Sequence, residues 1–163
     1  MSEPAPVQAL VAGVSAAVAA ARAGDRDGFE GAVAGLGRGG AGRPDLQAVG
    51  VVLGLLVGEL LERSHPDGID SDDAEQVVER CVRNAGPWYP ALDEDQLIRV
   101  LAGALGVDTH VGPDAGGVGD RAALVAHGLL VVADLLDSGC GPLGPVLADV
   151  LDRQRRDAEI EHP

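Results

Sequence analysis

Apolar residues along this chain recur at intervals of three and four, and nowhere does a long stretch alternate with period two. From residue 74, Ala74, Val77, Val78, Cys81, Val82 and Ala85 share one helical face, while Glu75, Glu79, Arg80 and Arg83 lie elsewhere around it. Ser71 or a neighbouring aspartate can cap this helix, and Gly86 with Pro87 ends it. The same spacing predicts amphipathic helices over 5–23, 25–36, 93–106 and 142–158. Segments 45–63 and 120–137 are apolar nearly all the way round, the pattern of helices at the centre of a bundle. The fold expected is all-α, a single-domain bundle of about seven helices around these two.

The central segments also resemble each other. LLVGELLE at 55–62 aligns with LVVADLLD at 130–137, and VVERCVRNA at 77–85 aligns with VLDRQRRDA at 150–158. This predicts a duplicated helix-loop-helix hairpin, one copy over 45–85 and the other over 120–158. An N-terminal hairpin over 5–36 and a bridging helix over 93–106 complete the domain. In the alignment Glu59 matches Asp134 and Arg80 matches Arg153. Each hairpin is therefore expected to pair its late carboxylate with the arginine of its partner helix and so set its register. The glycine-rich stretches at 35–45 and 110–120 read as loops.

Composition narrows the chemistry. The 163 residues suffice for one core, and the 46% apolar fraction is almost wholly Ala, Val and Leu. All 12 basic residues are arginine. Without lysine there is no Schiff base, no pyridoxal phosphate attachment and no phosphate-loop lysine. A formal net charge of −14 opposes duplex nucleic acid and favours solubility or a partner with a basic surface. The apolar run at 9–21 follows an N-terminus with an acidic residue and no basic side chain, unlike a signal peptide, and the run at 48–58 is too short to span a bilayer. A cytoplasmic protein is expected, with Cys81 and Cys140 as reduced thiols.

No motif assembles a complete catalytic set. GLGRGG at 35–40 fits the dinucleotide-binding pattern only as text, because a helix precedes it; Arg38 and Arg43 leave a small anion site as the weaker use of that loop. Ser15 in GVSAA lies inside a helical pattern, not a strained elbow. Glu59, Glu62 and His65 at three-residue spacing, with His127, Asp134 and Asp137 on the matching helix, form the alternative reading of a metal or small-molecule site between the central helices. That ligand set is incomplete, and no pattern calls for a cofactor.

GPWYP at 86–90 holds the only tryptophan and the only tyrosine. Asp93 and Gln96 suit a capping box, and Leu92 with Leu97 a hydrophobic staple, so the following helix needs neither aromatic to start. Pro87 and Pro90 stiffen the corner. Trp88 is expected to fill the gap between helices and Tyr89 to point another way, with at least one of the two substantially exposed; Trp88 and Tyr89 are the candidate partner-binding residues. The functional expectation is a non-catalytic interaction or adaptor protein, monomeric or homodimeric.

Overall fold

A computed structural model of the chain describes residues 5–37, 46–106, 118–139 and 141–161. They form seven helices and no strand: α1 (Ala5–Ala23), α2 (Arg26–Gly37), α3 (Leu46–Ser64), α4 (Ser71–Ala85), α5 (Glu94–Ala104), α6 (Val118–Asp137) and α7 (Leu143–Glu161). None is long and apolar enough, among the described residues, to cross a membrane.

Helix α6 is the axis of the bundle. Every residue from Val125 to Leu136 is buried, because α1, α2, α3, α4 and α5 all pack on it. Its most extensive contact is with α3, as expected of two central helices. Helix α3, however, is enclosed on one side only. Val49, Val52, Leu53, Leu56, Val57 and Leu60 are buried, whereas Val51 and Leu55 are 49% and 43% exposed. The all-round apolar pattern of α3 thus leaves a stripe that no described element covers.

Both spans expected as hairpins are helix-loop-helix units, but their helices do not pair within each unit. Helices α3 and α4 scarcely touch, nor do α6 and α7; α4 packs on α6, and α7 packs on α3. The ion pairs follow this exchange. Arg80 on α4 binds Asp134 on α6 at 3.1 Å, and Arg153 on α7 binds Glu59 on α3 at 3.3 Å. The expected pairing inside each hairpin is therefore replaced by pairing across the two. An arginine placed late on an outer helix reaches whichever central helix its apolar face is buried against.

Local sequence sets the helix ends. Asp70 caps α4 in a reciprocal box, accepting from the Asp73 N–H at 2.9 Å while the Asp73 carboxylate accepts from the Asp70 N–H at 3.1 Å. Asp93 caps α5 by accepting from the Asp95 N–H at 2.9 Å. The N–H of Asp93, which Gln96 was expected to satisfy, instead donates to His127 Nε2 at 2.9 Å. Between α1 and α2, Gly24 turns the chain at φ +68°, and Trp88 lies over it.

Candidate functional site

The aromatic corner turns inward. Tyr89 is buried and Trp88 half-buried, so neither ring has the substantial exposure that the sequence predicts for at least one of them. The reason is the third aromatic. Phe29 on α2 meets Trp88 and Tyr89 edge-on, with ring centroids 5.5 and 5.3 Å apart, and Tyr89 reaches the His127 ring at 6.1 Å. Three aromatics and a histidine thus weld α2, α6 and the α4–α5 corner together, a packing worth about 0.5–1.5 kcal/mol per aromatic pair beyond area burial. Burial also pushes the Tyr89 hydroxyl above its ordinary pKa.

His127 is fully enclosed and satisfied at both nitrogens. Its Nδ1–H donates to the Ala123 carbonyl at 2.6 Å, and Nε2 accepts from Asp93, an arrangement that requires the neutral ring. Burial lowers its pKa, against the smaller opposing effect of the Ala123 hydrogen bond. This imidazole joins α6 to the first turn of α5.

The other residues considered for a metal disperse among ion pairs. Glu59 is held by Arg63 and Arg153, Asp134 by Arg80, and Asp137 by Arg22 at 2.7 Å. His65 hydrogen-bonds Ser64 at 2.8 Å and faces Asp73, while Glu62 is exposed. Among the described residues no three His, Cys, Asp or Glu side chains come together as a metal site would need. Arg38 and Arg43 lie outside the described residues. Beside Asp134, the Cys81 thiol is buried and pushed up to about 12 by desolvation, so it stays protonated. Burial also raises the Asp134 carboxyl, and the Arg80 guanidinium pulls it back.

What the structure does assemble is an apolar groove of about 480 Å³ between α3, α5 and α6. The wall from α3 runs from Leu46 to Leu55 and includes Gly50, Val51 and Gly54; α5 supplies Val100 and Gly103, and α6 supplies Leu124 and Gly128. Nine steps at 1.5 Å make the α3 wall about 13 Å long. Leu124 is 39% exposed, so the aliphatic rim faces solvent on both sides.

Three of the groove's four glycines stand in open space, as Gly31, Gly35 and Gly144 do on other helices, while a Cβ at Gly128 would touch Leu53. A Cβ at Gly13 would overlap Leu36, so that glycine lets α1 and α2 approach. A Cβ at Gly50, Gly54 or Gly103 would meet nothing within 4 Å. Each costs about 1 kcal/mol of helix propensity relative to alanine with no internal contact that needs it. They keep the floor of the groove low.

The charged side chains of the groove are both basic in an acidic chain. Arg99 and Arg121 line the groove, and none of its described lining residues is acidic. Among the described residues neither arginine enters an ion pair, whereas Arg22, Arg26, Arg63, Arg80, Arg153 and Arg155 all do. Sequence reasoning missed this site because α3 and α6 look alike in hydropathy. The signal that distinguishes them is Gly50, Gly54 and Gly58 at four-residue spacing on α3, where the aligned positions of α6 are Val125, Leu129 and Ala133. No protein-family model, no curated protein and no solved structure matches this chain.

Proposed function

We propose that this protein is a non-catalytic interaction module whose docking surface is the groove between α3, α5 and α6. The observation that carries the reading is the apolar stripe of α3, Val51 and Leu55, which no described element covers and which lines one groove with Leu124. A helix this apolar is a core helix, and completing its burial is worth roughly 1 kcal/mol per half-exposed side chain. The Trp88–Tyr89 corner, turned inward, is a structural element of the module rather than its contact surface.

We further read the exchanged ion pairs as the trace of an internal duplication. Under the alignment that matches Glu59 with Asp134 and Arg80 with Arg153, the two pairs are the same contact made twice. The duplication then explains why α3 has the composition of a central helix while lacking full cover.

The test is a partner recovery comparison. Gly54→Leu fills the groove from a position where an added Cβ meets nothing within 4 Å, so the fold should be retained. Affinity purification from the native cell should recover a stoichiometric partner with the wild-type chain and lose it with Gly54→Leu at unchanged thermal midpoint. Equal recovery of the same partner by both would contradict the reading.

A further inference from the structure

The same alignment places Val51 and Leu55 of α3 opposite Ala126 and Leu130 of α6. Those α6 residues are 3% and 4% exposed; α1 and α4 both pack on α6, and beside Leu130 and Ala133 a small cleft is lined by Ala21 of α1, by Cys81, Asn84 and Ala85 of α4, and by Trp88. Helix α1 presents Leu10, Val14, Ala17 and Val18 as its buried face, a stripe of small and medium aliphatic side chains. It also brings Arg22 to Asp137 at the end of α6. The position aligned with Asp137 is Glu62, which is exposed and enters no ion pair among the described residues. What α1 does for α6, nothing in the described chain does for α3.

We infer that the groove receives from another protein a helix built like α1, with a small aliphatic stripe on one face and carboxylates beside that stripe to meet Arg99 and Arg121. This rests on the docking function proposed above and adds the chemistry of the occupant. The open floor at Gly50, Gly54 and Gly103 suits close approach of a helix backbone, as Gly13 does where α1 meets α2. The two unpaired arginines give the charge. Arg83 and Arg156 also lack ion pairs among the described residues, but both stand on exposed faces away from the groove.

A second copy of this chain fits the site less well. A twofold contact sets the same patch against itself, which would gather Arg99 and Arg121 of both copies in one apolar seam with no carboxylate from the described lining. A partner helix carrying carboxylates removes that repulsion and supplies charge-assisted hydrogen bonds. The −14 net charge of the whole chain repels an acidic helix at long range, so the attraction to Arg99 and Arg121 acts only within about a Debye length of the groove, against the preference of the chain as a whole for a basic partner.

The probe is a labelled peptide with the sequence of residues 5–23, made in two forms: Q8E with S15E, and Q8K with S15K, two positions that are exposed on α1. Fluorescence anisotropy against the full chain should show the glutamate form binding about tenfold more tightly than the lysine form, as expected for charge-assisted contacts. In Arg99→Gln/Arg121→Gln that preference should fall to within about twofold. In Gly54→Leu neither form should bind. Equal affinity of the two forms, or a preference that survives loss of both arginines, overturns the inference while leaving the groove itself as the docking surface. Binding that persists in Gly54→Leu places the peptide on α6 in exchange for α1 and also overturns it. So does absence of binding by either form, and so does a wild-type dimer in sedimentation that Leu55→Glu dissociates, which would assign the face to a second copy. Those last outcomes are separable from failure of the docking reading, which partner recovery by Gly54→Leu decides independently.

Discussion

The two exchanged ion pairs correspond in sequence yet differ in burial, and removing their arginines should have unequal consequences. The Asp134 side chain is 4% exposed and Arg80 34%, and Arg80 makes three hydrogen bonds to the carboxylate between 3.1 and 3.4 Å. The Glu59 side chain is 13% exposed but its partner Arg153 is 55% exposed, and Arg63 also holds Glu59 at 3.2 Å. Arg80→Ala takes the countercharge from a buried carboxylate and leaves it the Asn84 side chain, a change costing about 2–3 kcal/mol once partial solvent access is allowed for. Arg153→Ala leaves Glu59 with Arg63 and should cost less than about 1 kcal/mol. At an unfolding entropy of about 2.1 cal/mol/K per residue, a chain of 163 residues loses about 3 °C of thermal midpoint per kcal/mol. Thermal unfolding followed by circular dichroism at pH 7.5 should therefore show a fall of about 6–9 °C for Arg80→Ala and under about 3 °C for Arg153→Ala. Adding Asp134→Asn to Arg80→Ala should recover much of the loss, because the amide carries no charge to strand. Equal losses for the two arginine variants, or a larger loss for Arg153→Ala, would refute the assignment of one pair to the core and the other to the surface.

Replacing Gly54 or Gly103 by alanine should raise stability by about 0.5–1 kcal/mol each in denaturant unfolding, because the new methyl meets nothing and helix propensity improves. His127 should make the protein acid-sensitive. Its folded pKa is lowered from 6.5, so its contribution is intact above that value and is lost as pH falls below it, when the unfolded chain takes up a proton that the folded ring refuses. Urea midpoints should decline from pH 7.5 to pH 5, with a smaller decline in His127→Leu, which is less stable throughout because the Asp93 N–H loses its acceptor. In a Cys140→Ser background, Cys81 should resist a thiol reagent in the native state and react stoichiometrically once the chain is unfolded in urea, as a buried thiol pushed up to about 12 requires.

Much of the fold is written locally. The helix spans follow from period and punctuation, and Asp70 and Asp93 cap where a carboxylate precedes an apolar-periodic run. What the sequence conceals is non-local. Matching Glu59 with Asp134 and Arg80 with Arg153 identifies equivalent positions but is satisfied equally by pairing within a hairpin or across two, and only the packing of α4 on α6 and α7 on α3 decides between them. Two prolines around Trp88 and Tyr89 predict a stiff corner, but stiffness says nothing about which way the rings face. Phe29, on a helix far earlier in the chain, draws both inward. Gln96 lost its capping partner for the same kind of reason, since His127 arrives from α6 to take the Asp93 N–H. The groove was illegible because hydropathy reports that α3 is apolar without reporting whether each face finds a neighbour. Its exposed stripe emerges only when five helices close around α6 and leave part of α3 uncovered.

The most direct test of the docking claim is an amide-resolved nuclear magnetic resonance titration of the full chain with the glutamate-bearing peptide. The groove glycines Gly50, Gly54, Gly103 and Gly128 are spread over three helices and report on all walls of the site at once. Their amide signals should shift together with saturation, while the indole N–H of Trp88 and the amide of Gly24, which do not line the groove, stay in place. Movement of the Trp88 and Gly24 signals with the four groove glycines unchanged would contradict the account.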